Sequence, residues 1–301
     1  MATTLTDTLV SAWDSLNLSS ATLSSVARLK FVKPTLIQQA AIPVILKGHD
    51  VIGKAPTGSG KTLAYGLPIY EHYLKTSFSR SSEKGKTDNR TLPPMALILS
   101  PTRELAHQLS AHLTELCSEP SSPVPTIATV TGGLSVHKQQ RFLAKANIIV
   151  GTPGRLWEVI SESVKLSKSL SSIKFLVVDE ADRLLSEGHF KEVEEILRIL
   201  DRGDETVEDE PENDSMTIHS KQQRQTLVFS ATFQKDLQQK LAGKSKSVGD
   251  DLMGKRESME YLLKKLNFRE QKPQFIDVNP ISQMALGLKE GIVECAGTDK
   301  V

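Results

Sequence analysis

Eight consecutive residues, Ala55-Pro56-Thr57-Gly58-Ser59-Gly60-Lys61-Thr62, set two glycines, a lysine and a hydroxyl in the order that phosphate binding requires. Gly58 and Gly60 permit backbone conformations that turn successive N–H groups inward, and a helix opening at Lys61 adds partial positive charge toward an anion. Lys61 is expected to reach the β- and γ-phosphates of a nucleoside triphosphate. Thr62 offers its hydroxyl to magnesium, a hard cation that takes oxygen ligands. The segment opens on Ala55 where Gly is more common, a permitted variant. A glycine-rich turn with an incidental lysine would present the same letters. Here an apolar run precedes the segment and a helical pattern follows it, which is the context of a phosphate cradle.

A second cluster follows Phe175-Leu176-Val177-Val178, where the chain continues Asp179-Glu180-Ala181-Asp182. Two adjacent carboxylates at the carboxyl end of a buried strand are costly unless they serve something. Asp179 is expected to hold magnesium through water, and Glu180 to orient and deprotonate an attacking water. Acidic residues also favour the first turn of a helix, so alone the pair reads equally as a cap. With the phosphate loop upstream, it implies hydrolysis of ATP beyond binding.

These residues need strands and helices to hold them. Short apolar, β-branched runs at Asp50–Gly53, Met95–Leu99, Thr126–Val130, Ala146–Val150, Ile173–Val178 and Gln225–Phe229 read as buried parallel strands. Helical patterns alternate with them at Lys61–Leu74, Arg103–Leu116, Val136–Lys145, Gly154–Ile160 and Lys191–Leu200. That alternation predicts an α/β fold with helices on both faces of a mostly parallel sheet, its ligands gathered at the carboxyl ends of the strands. Ser77–Pro94, rich in Ser, Lys and Gly, and the acidic Asp201–Ser220 read as solvated insertions. A polar stretch, Lys244–Arg256, precedes a helical pattern at Met259–Leu266 and an extended run at Pro273–Val278. Residues 1–242 are expected to form one domain, and 243–301 a linker and the approach to a second.

Bulk properties narrow the function classes. A formal charge of +1 over 301 residues excludes a wholesale polybasic arm, so contact with nucleic acid has to come from local arrangements. Cys117 and Cys295 give neither a disulfide framework nor metal-ligand spacing. The N-terminus lacks the basic and apolar regions of a signal peptide, and no apolar run is long enough for a membrane span, so a soluble intracellular protein is expected.

Taken with their neighbours, the two clusters resemble the first RecA-like lobe of the DEAD-box RNA helicases, a P-loop NTPase fold, over nearly the whole chain. Phe31-Val32-Lys33-Pro34-Thr35-Leu36-Ile37-Gln38 resembles the family's adenine-reading Q motif, and Trp13 stands at about the place of its upstream aromatic. The resemblance implies that Phe31 and Gln38 bind the nucleotide, Gln38 through the adenine edge. Lys30 stands where a glycine commonly precedes the phenylalanine, and Leu36 where proline is frequent. Pro101-Thr102-Arg103-Glu104, Gly132-Gly133 and Thr152-Pro153-Gly154-Arg155 resemble the family's three RNA-backbone contacts. Helix N-termini, glycine amides and the Arg155 guanidinium can hold phosphates without reading bases. Each is also an ordinary loop-to-helix turn when taken singly, and their joint order carries the likeness. Ser230-Ala231-Thr232 resembles the coupling motif that links nucleotide state to strand separation, with Asp182 as its partner.

The family's enzymes have a second RecA-like lobe that contributes arginine fingers, and its motifs do not occur here. Such fingers are worth roughly 10³ to 10⁵ in turnover. The chain is therefore expected to be a fragment or truncated product that binds ATP and hydrolyses it poorly. The runs Trp13–Leu16, Phe275–Pro280 and Gly291–Cys295 resemble fungal nucleolar members acting in large ribosomal subunit assembly, which implies pre-ribosomal RNA as partner and a nuclear, nucleolar location. Two rivals remain: a RecA-like ATPase acting on something other than RNA, against which Gln38, Arg103, Gly133 and Arg155 speak, and a non-catalytic RNA- or protein-binding module, against which intact Lys61, Thr62, Asp179 and Glu180 speak.

Overall fold

A computed structural model describes residues 11–82, 92–201, 224–233 and 259–278. Seven strands form one parallel sheet: β1 (Val51–Lys54), β2 (Ala96–Leu99), β3 (Ile127–Val130), β4 (Ile148–Gly151), β5 (Phe175–Val178), β6 (Gln225–Ser230) and β7 (Gln274–Asp277), in the order β3-β4-β2-β5-β6-β1-β7. The central strands are apolar throughout because both faces are covered. Leu97, Leu99, Leu176 and Val178 point into one hydrophobic cluster, while Ile98 and Val177 point into the other.

The helices are α1 (Ser20–Arg28), α2 (Leu36–Leu46), α3 (Lys61–Ser82), α4 (Arg103–Leu116), α5 (Val136–Leu143), α6 (Pro153–Ser161), α7 (Val164–Leu170), α8 (Ala181–Ser186), α9 (Phe190–Asp201) and α10 (Met259–Lys265). α2, α3 and α4 cover one face with Ile37, Tyr65 and Leu113, and α6, α9 and α10 cover the other with Leu156, Ile196 and Leu262. In α9 the buried residues Val193, Ile196, Leu197 and Leu200 fall at helical spacing, and for that reason it was legible. Helix α2 was not, because its sequence LIQQAAIPVIL is apolar nearly all round and carries Pro43.

Two differences from the sequence reading have physical causes. Helix α3 runs on to Ser82, through the start of the expected insertion, its later hydroxyls turned back onto the helix: Thr76 Oγ1 donates to His72 O at 2.9 Å and Ser79 Oγ to Lys75 O at 2.9 Å. Most of the expected acidic insertion, like Gly291–Cys295, lies outside the described residues. The sheet also continues beyond residue 242. β7 pairs in parallel with β1, and α10 packs on α8 and α9. Asp50, fully buried at the start of β1, clamps this edge by accepting from Thr226 N at 2.7 Å and Glu270 N at 3.0 Å.

At the N-terminal end Trp13 is wholly buried and donates from Nε1 to Phe31 O at 3.0 Å, anchoring the segment before α2. Lys30, at the position where the family commonly has glycine, keeps a left-handed backbone with φ of 60°. A side chain there costs roughly 1 kcal/mol of strain.

Candidate functional site

Apart from Phe31 and Gln38, which come from the segment and helix before β1, every sequence-predicted site segment follows the end of a parallel strand and so lies at the carboxyl edge of the sheet. The strand order divides them. β5, β6 and β1 are neighbours, and the loops after them carry Asp179–Asp182, Ser230–Thr232 and Ala55–Thr62. β3, β4 and β2 are neighbours too, and their loops carry Gly132–Gly133, Thr152–Arg155 and Pro101–Glu104. Hydrogen bonds continue the ladder into these loops: Ala55 N to Ser230 O at 3.0 Å, Asp179 N to Leu99 O at 3.0 Å, and Thr152 N to Val130 O at 3.2 Å.

A cleft of about 490 Å³ opens over the first group, lined among others by Phe31, Gln38, Thr57, Gly58, Gly60, Lys61, Thr62, Asp179 and Glu180. Three segments far apart in sequence thus share one cavity. Lys61 folds back into the loop, donating to Ala55 O at 3.0 Å and Pro56 O at 3.3 Å, with Glu180 Oε1 3.0 Å away. Its side chain is 5% exposed and that of Glu180 15%, so this ion pair is screened little by solvent. Gln38 spans two elements: its Oε1 accepts from Thr35 N at 2.9 Å and its Nε2 donates to Gly60 O at 3.0 Å. Gly60 has φ of +89°, a strained conformation for any side chain, and a Cβ there would lie 2.3 Å from Gln38 Nε2 and force the Gln38 amide to shift.

Asp179 Oδ2 accepts from Tyr65 Oη at 2.9 Å, and Oδ1 accepts from Glu180 N at 2.9 Å. Burial pushes its carboxyl up to about 6, against the lowering effect of the Tyr65 hydrogen bond and the Lys61 charge. Burial and the Asp179 charge push the Tyr65 phenol well above its usual range, so it stays a donor. Sequence reasoning missed Tyr65. Its signal was the spacing of four from Lys61, one turn along the same face of α3. Glu180 holds a left-handed backbone, φ 49° and ψ 51°, at the N-terminal boundary of α8, a costly conformation for a side chain and one that clusters at functional sites.

The oxygen donors present fit a hard cation. Thr62 and the two carboxylates are its preferred chemistry, and Asp179 is a buried anion whose charge a cation would offset. Ser59 Oγ, in the phosphate loop, and Ser100 Oγ, lining the same cleft, are buried without a hydrogen-bond partner, which suits a ligand rich in acceptor oxygens. Among the described residues no group of three or more His, Cys, Asp or Glu side chains forms a metal cage of its own.

Ser230 and Thr232 meet Asp182 across the β6 loop. Thr232 Oγ1 donates to Asp182 Oδ2 at 2.6 Å and Thr232 N to the same oxygen at 3.0 Å, while Asp182 N donates to Ser230 Oγ at 3.3 Å. Partial burial opposes the Asp182 charge, but donors from Thr232, Ser230 and Arg183 outweigh it and hold the carboxyl below the usual range.

The second group forms its own surface. Thr102 caps α4, accepting from Leu105 N at 3.3 Å, and Thr152 precedes α6 with Pro153 at its first turn. Pro101, Thr152 and Pro153 are buried and shape the turns, whereas Arg103, Glu104 and Gly133 are exposed. The Arg103 guanidinium lies against Gly132, where a Cβ would come within 2.3 Å of Nη2. Arg155, expected to grip a phosphate, is bonded instead to Gln139, Glu158 and the carbonyl of Leu134.

Residues 35–240 match the family described as DEAD/DEAH box helicase. The chain belongs to that family. Among curated DEAD-box proteins it is 62% identical over 294 residues to the ATP-dependent RNA helicase mak5 of Aspergillus terreus, covering 97% of this chain and 38% of that protein. It is 61% identical to MAK5 of Phaeosphaeria nodorum, covering 97% and 34%. The chain thus spans well under half the length of these relatives. Among solved DEAD-box structures it resembles Mss116p bound to ssRNA and AMP-PNP, with TM-score 0.63, 27% identity, and coverage of 90% of this chain and 45% of that one. A DEAD box protein from the hyperthermophile Methanococcus jannaschii aligns with TM-score 0.55 and 30% identity, over 77% of this chain and 53% of that one. No helix among the described residues is long and apolar enough to cross a membrane.

Proposed function

We propose that this chain is the ATP-binding RecA-like lobe of an ATP-dependent RNA helicase that couples ATP hydrolysis to local separation of RNA duplexes. The observation that carries the reading is the single cleft joining Gln38, the phosphate loop and the Asp179–Glu180 pair, in a chain of this family. Gln38 recognises the adenine edge and, through Gly60, reports it to the loop. The inward amides and Lys61 hold the phosphates. Glu180 accepts a proton from the attacking water, its position fixed by the left-handed turn and by Lys61. Thr62 and Asp179 would hold magnesium, which when bound neutralises phosphate charge.

Loops after β2, β3 and β4 hold RNA through its backbone, independently of base sequence. The Asp182–Thr232 contact passes nucleotide state to the rest of the lobe. Hydrolysis in the isolated chain is slow, because arginine fingers come from a second lobe. The resemblance of Trp13–Leu16, Phe275–Pro280 and Gly291–Cys295 to fungal nucleolar members of the family supports action on pre-ribosomal RNA during large-subunit assembly, in the nucleolus. Depletion of the whole protein is expected to lower the ratio of large to small subunits, and an unaltered ratio would reject that assignment.

Calorimetry with ATP, ADP and GTP tests the core claim. The intact protein is expected to bind adenine nucleotides in preference to GTP. Lys61→Ala should weaken ATP binding roughly 10- to 100-fold through loss of charge-assisted hydrogen bonds. Gln38→Ala should abolish the preference for adenine. Equal binding of GTP by the intact protein would sink the helicase reading.

A further inference from the structure

We propose that Gln139, in α5, is a positioning residue that clasps the Gly132–Gly133 turn and Arg155 into one rigid phosphate-gripping unit. This rests on the RNA-contact reading above. The Gln139 side chain is 2% exposed, an unusual place for a primary amide. Both of its ends are used. Nε2 donates to Thr131 O at 2.7 Å, and Oε1 accepts from Arg155 Nε at 2.6 Å. Arg155 in turn donates through Nη2 to Leu134 O. Thr131 and Leu134 are the residues on either side of Gly132–Gly133, so the pair holds both shoulders of the turn.

The chemistry at position 139 admits few side chains. A carbonyl on one side demands a donor and a guanidinium on the other demands an acceptor, and a primary amide supplies both on one planar group. Glutamate keeps the acceptor and loses the donor, and methionine keeps the length and loses both. The clasp also explains why Arg155 is engaged inward. Three of the five N–H groups of a guanidinium are spent on Gln139, Leu134 O and Glu158, leaving one on each terminal nitrogen for a phosphate oxygen. The turn's amides are thereby oriented before the ligand arrives, so less ordering free energy is lost on binding. Arg103, seated against Gly132, supports the same turn from the α4 side.

The test measures binding of a fluorescein-labelled single-stranded decauridylate in the presence of a non-hydrolysable ATP analogue, alongside ADP affinity and melting temperature. Gln139→Met is expected to raise the RNA Kd about tenfold or more, a loss in keeping with misplaced binding groups. ADP affinity should stay within about twofold, the scatter seen between independent sites. Gln139→Glu should lose less, since it still orients Arg155, and it carries the test should Gln139→Met fail to fold. Combining Gln139→Met with Arg155→Met should weaken RNA binding no further than Arg155→Met alone. Unchanged RNA affinity in Gln139→Met would overturn the proposal. So would a parallel loss of RNA and ADP binding with a lowered melting temperature, or fully additive effects in the double variant. Failure of the unsubstituted protein to bind the decauridylate would instead remove the RNA reading itself, and is read from the wild-type arm alone.

Discussion

At the scale of single residues, the cost of ionising Asp179 is the clearest consequence of the fold. Its carboxyl titrates near 6 when folded and near 3.8 as an ordinary aspartate. A raised folded value means that its favourable contribution is present below pH 3.8 and is lost as pH rises through about 6. At neutral pH the ligand-free protein therefore carries a buried anion that destabilises it. Asp179→Asn removes the charge and keeps one acceptor for the Tyr65 hydroxyl, at the loss of the acceptor for the Glu180 amide. It is expected to stabilise the ligand-free protein at pH 7.5 by an amount of the order of 2 kcal/mol. Thermal melts should show the gain shrinking as pH is lowered from 7.5 to 5, and an equal or lower melting temperature at pH 7.5 would contradict the assignment. The same substitution removes the proposed magnesium ligand, so under that proposal stability and nucleotide turnover should move in opposite directions.

At the scale of elements, the β6 loop is tied to the start of α8 by one carboxylate. Asp182 accepts the Thr232 hydroxyl and amide and is held below the usual range by those donors against partial burial. A depressed folded value gives stability that is present above about pH 3.8 and is lost as pH falls through the lower folded value. Thr232→Val removes the 2.6 Å bond and keeps the shape. It should cost roughly 0.5–1 kcal/mol at pH 7, a modest figure because Thr232 is exposed. In urea unfolding the penalty should decline as pH falls below about 3.8 and on through the lower folded value. A penalty independent of pH would mean that the hydroxyl acts through something other than Asp182. The helices were legible where one face alone is apolar: α4 falls at Arg103–Leu116 as expected, with Leu109, Leu113 and Leu116 inward. Short α7 and α8 were not legible, having too few turns to show a period.

At the scale of the whole molecule, α10 and β7 belong to the packed unit. Met259, Leu262, Leu263 and Leu266 are buried against α8 and α9, and β7 covers the edge of β1 beside the phosphate loop. Burying four such side chains is worth on the order of 5–10 kcal/mol, comparable with the total stability of a domain. A chain ending at residue 242 is therefore expected to lose cooperative unfolding or to aggregate through the bared β1 edge, and to melt below one ending at residue 278. Circular dichroism melts of the two truncations check this, and equal melting temperatures would refute it. Lys54 Nζ lies 3.2 Å from Asp277 Oδ2, so the strand entering the phosphate loop is joined to the last strand of the sheet.

The sequence by itself determined the α/β class, six strands together with the extended run that forms the seventh, and the segments at the ends of the six. It did so because strands covered on both faces must be continuously apolar, and because phosphate-holding turns need glycine, lysine and hydroxyl residues in fixed order. It also held the signal of the family, in Gln38, Arg103, Gly133 and Arg155 taken in sequence. The partition of those segments was decided only by the tertiary structure. The order β3-β4-β2-β5-β6-β1-β7 gathers the phosphate loop, the acidic pair and Ser230–Thr232 on one half of the edge and the remaining turns on the other. Strand order follows from which crossovers bury helices against both faces, a long-range property that no local window contains. For the same reason Tyr65 beneath Asp179, Gln139 beside Arg155, and Lys61 folded onto Ala55 O and Glu180 were visible only in three dimensions. Each joins residues whose meeting depends on the packing of whole elements.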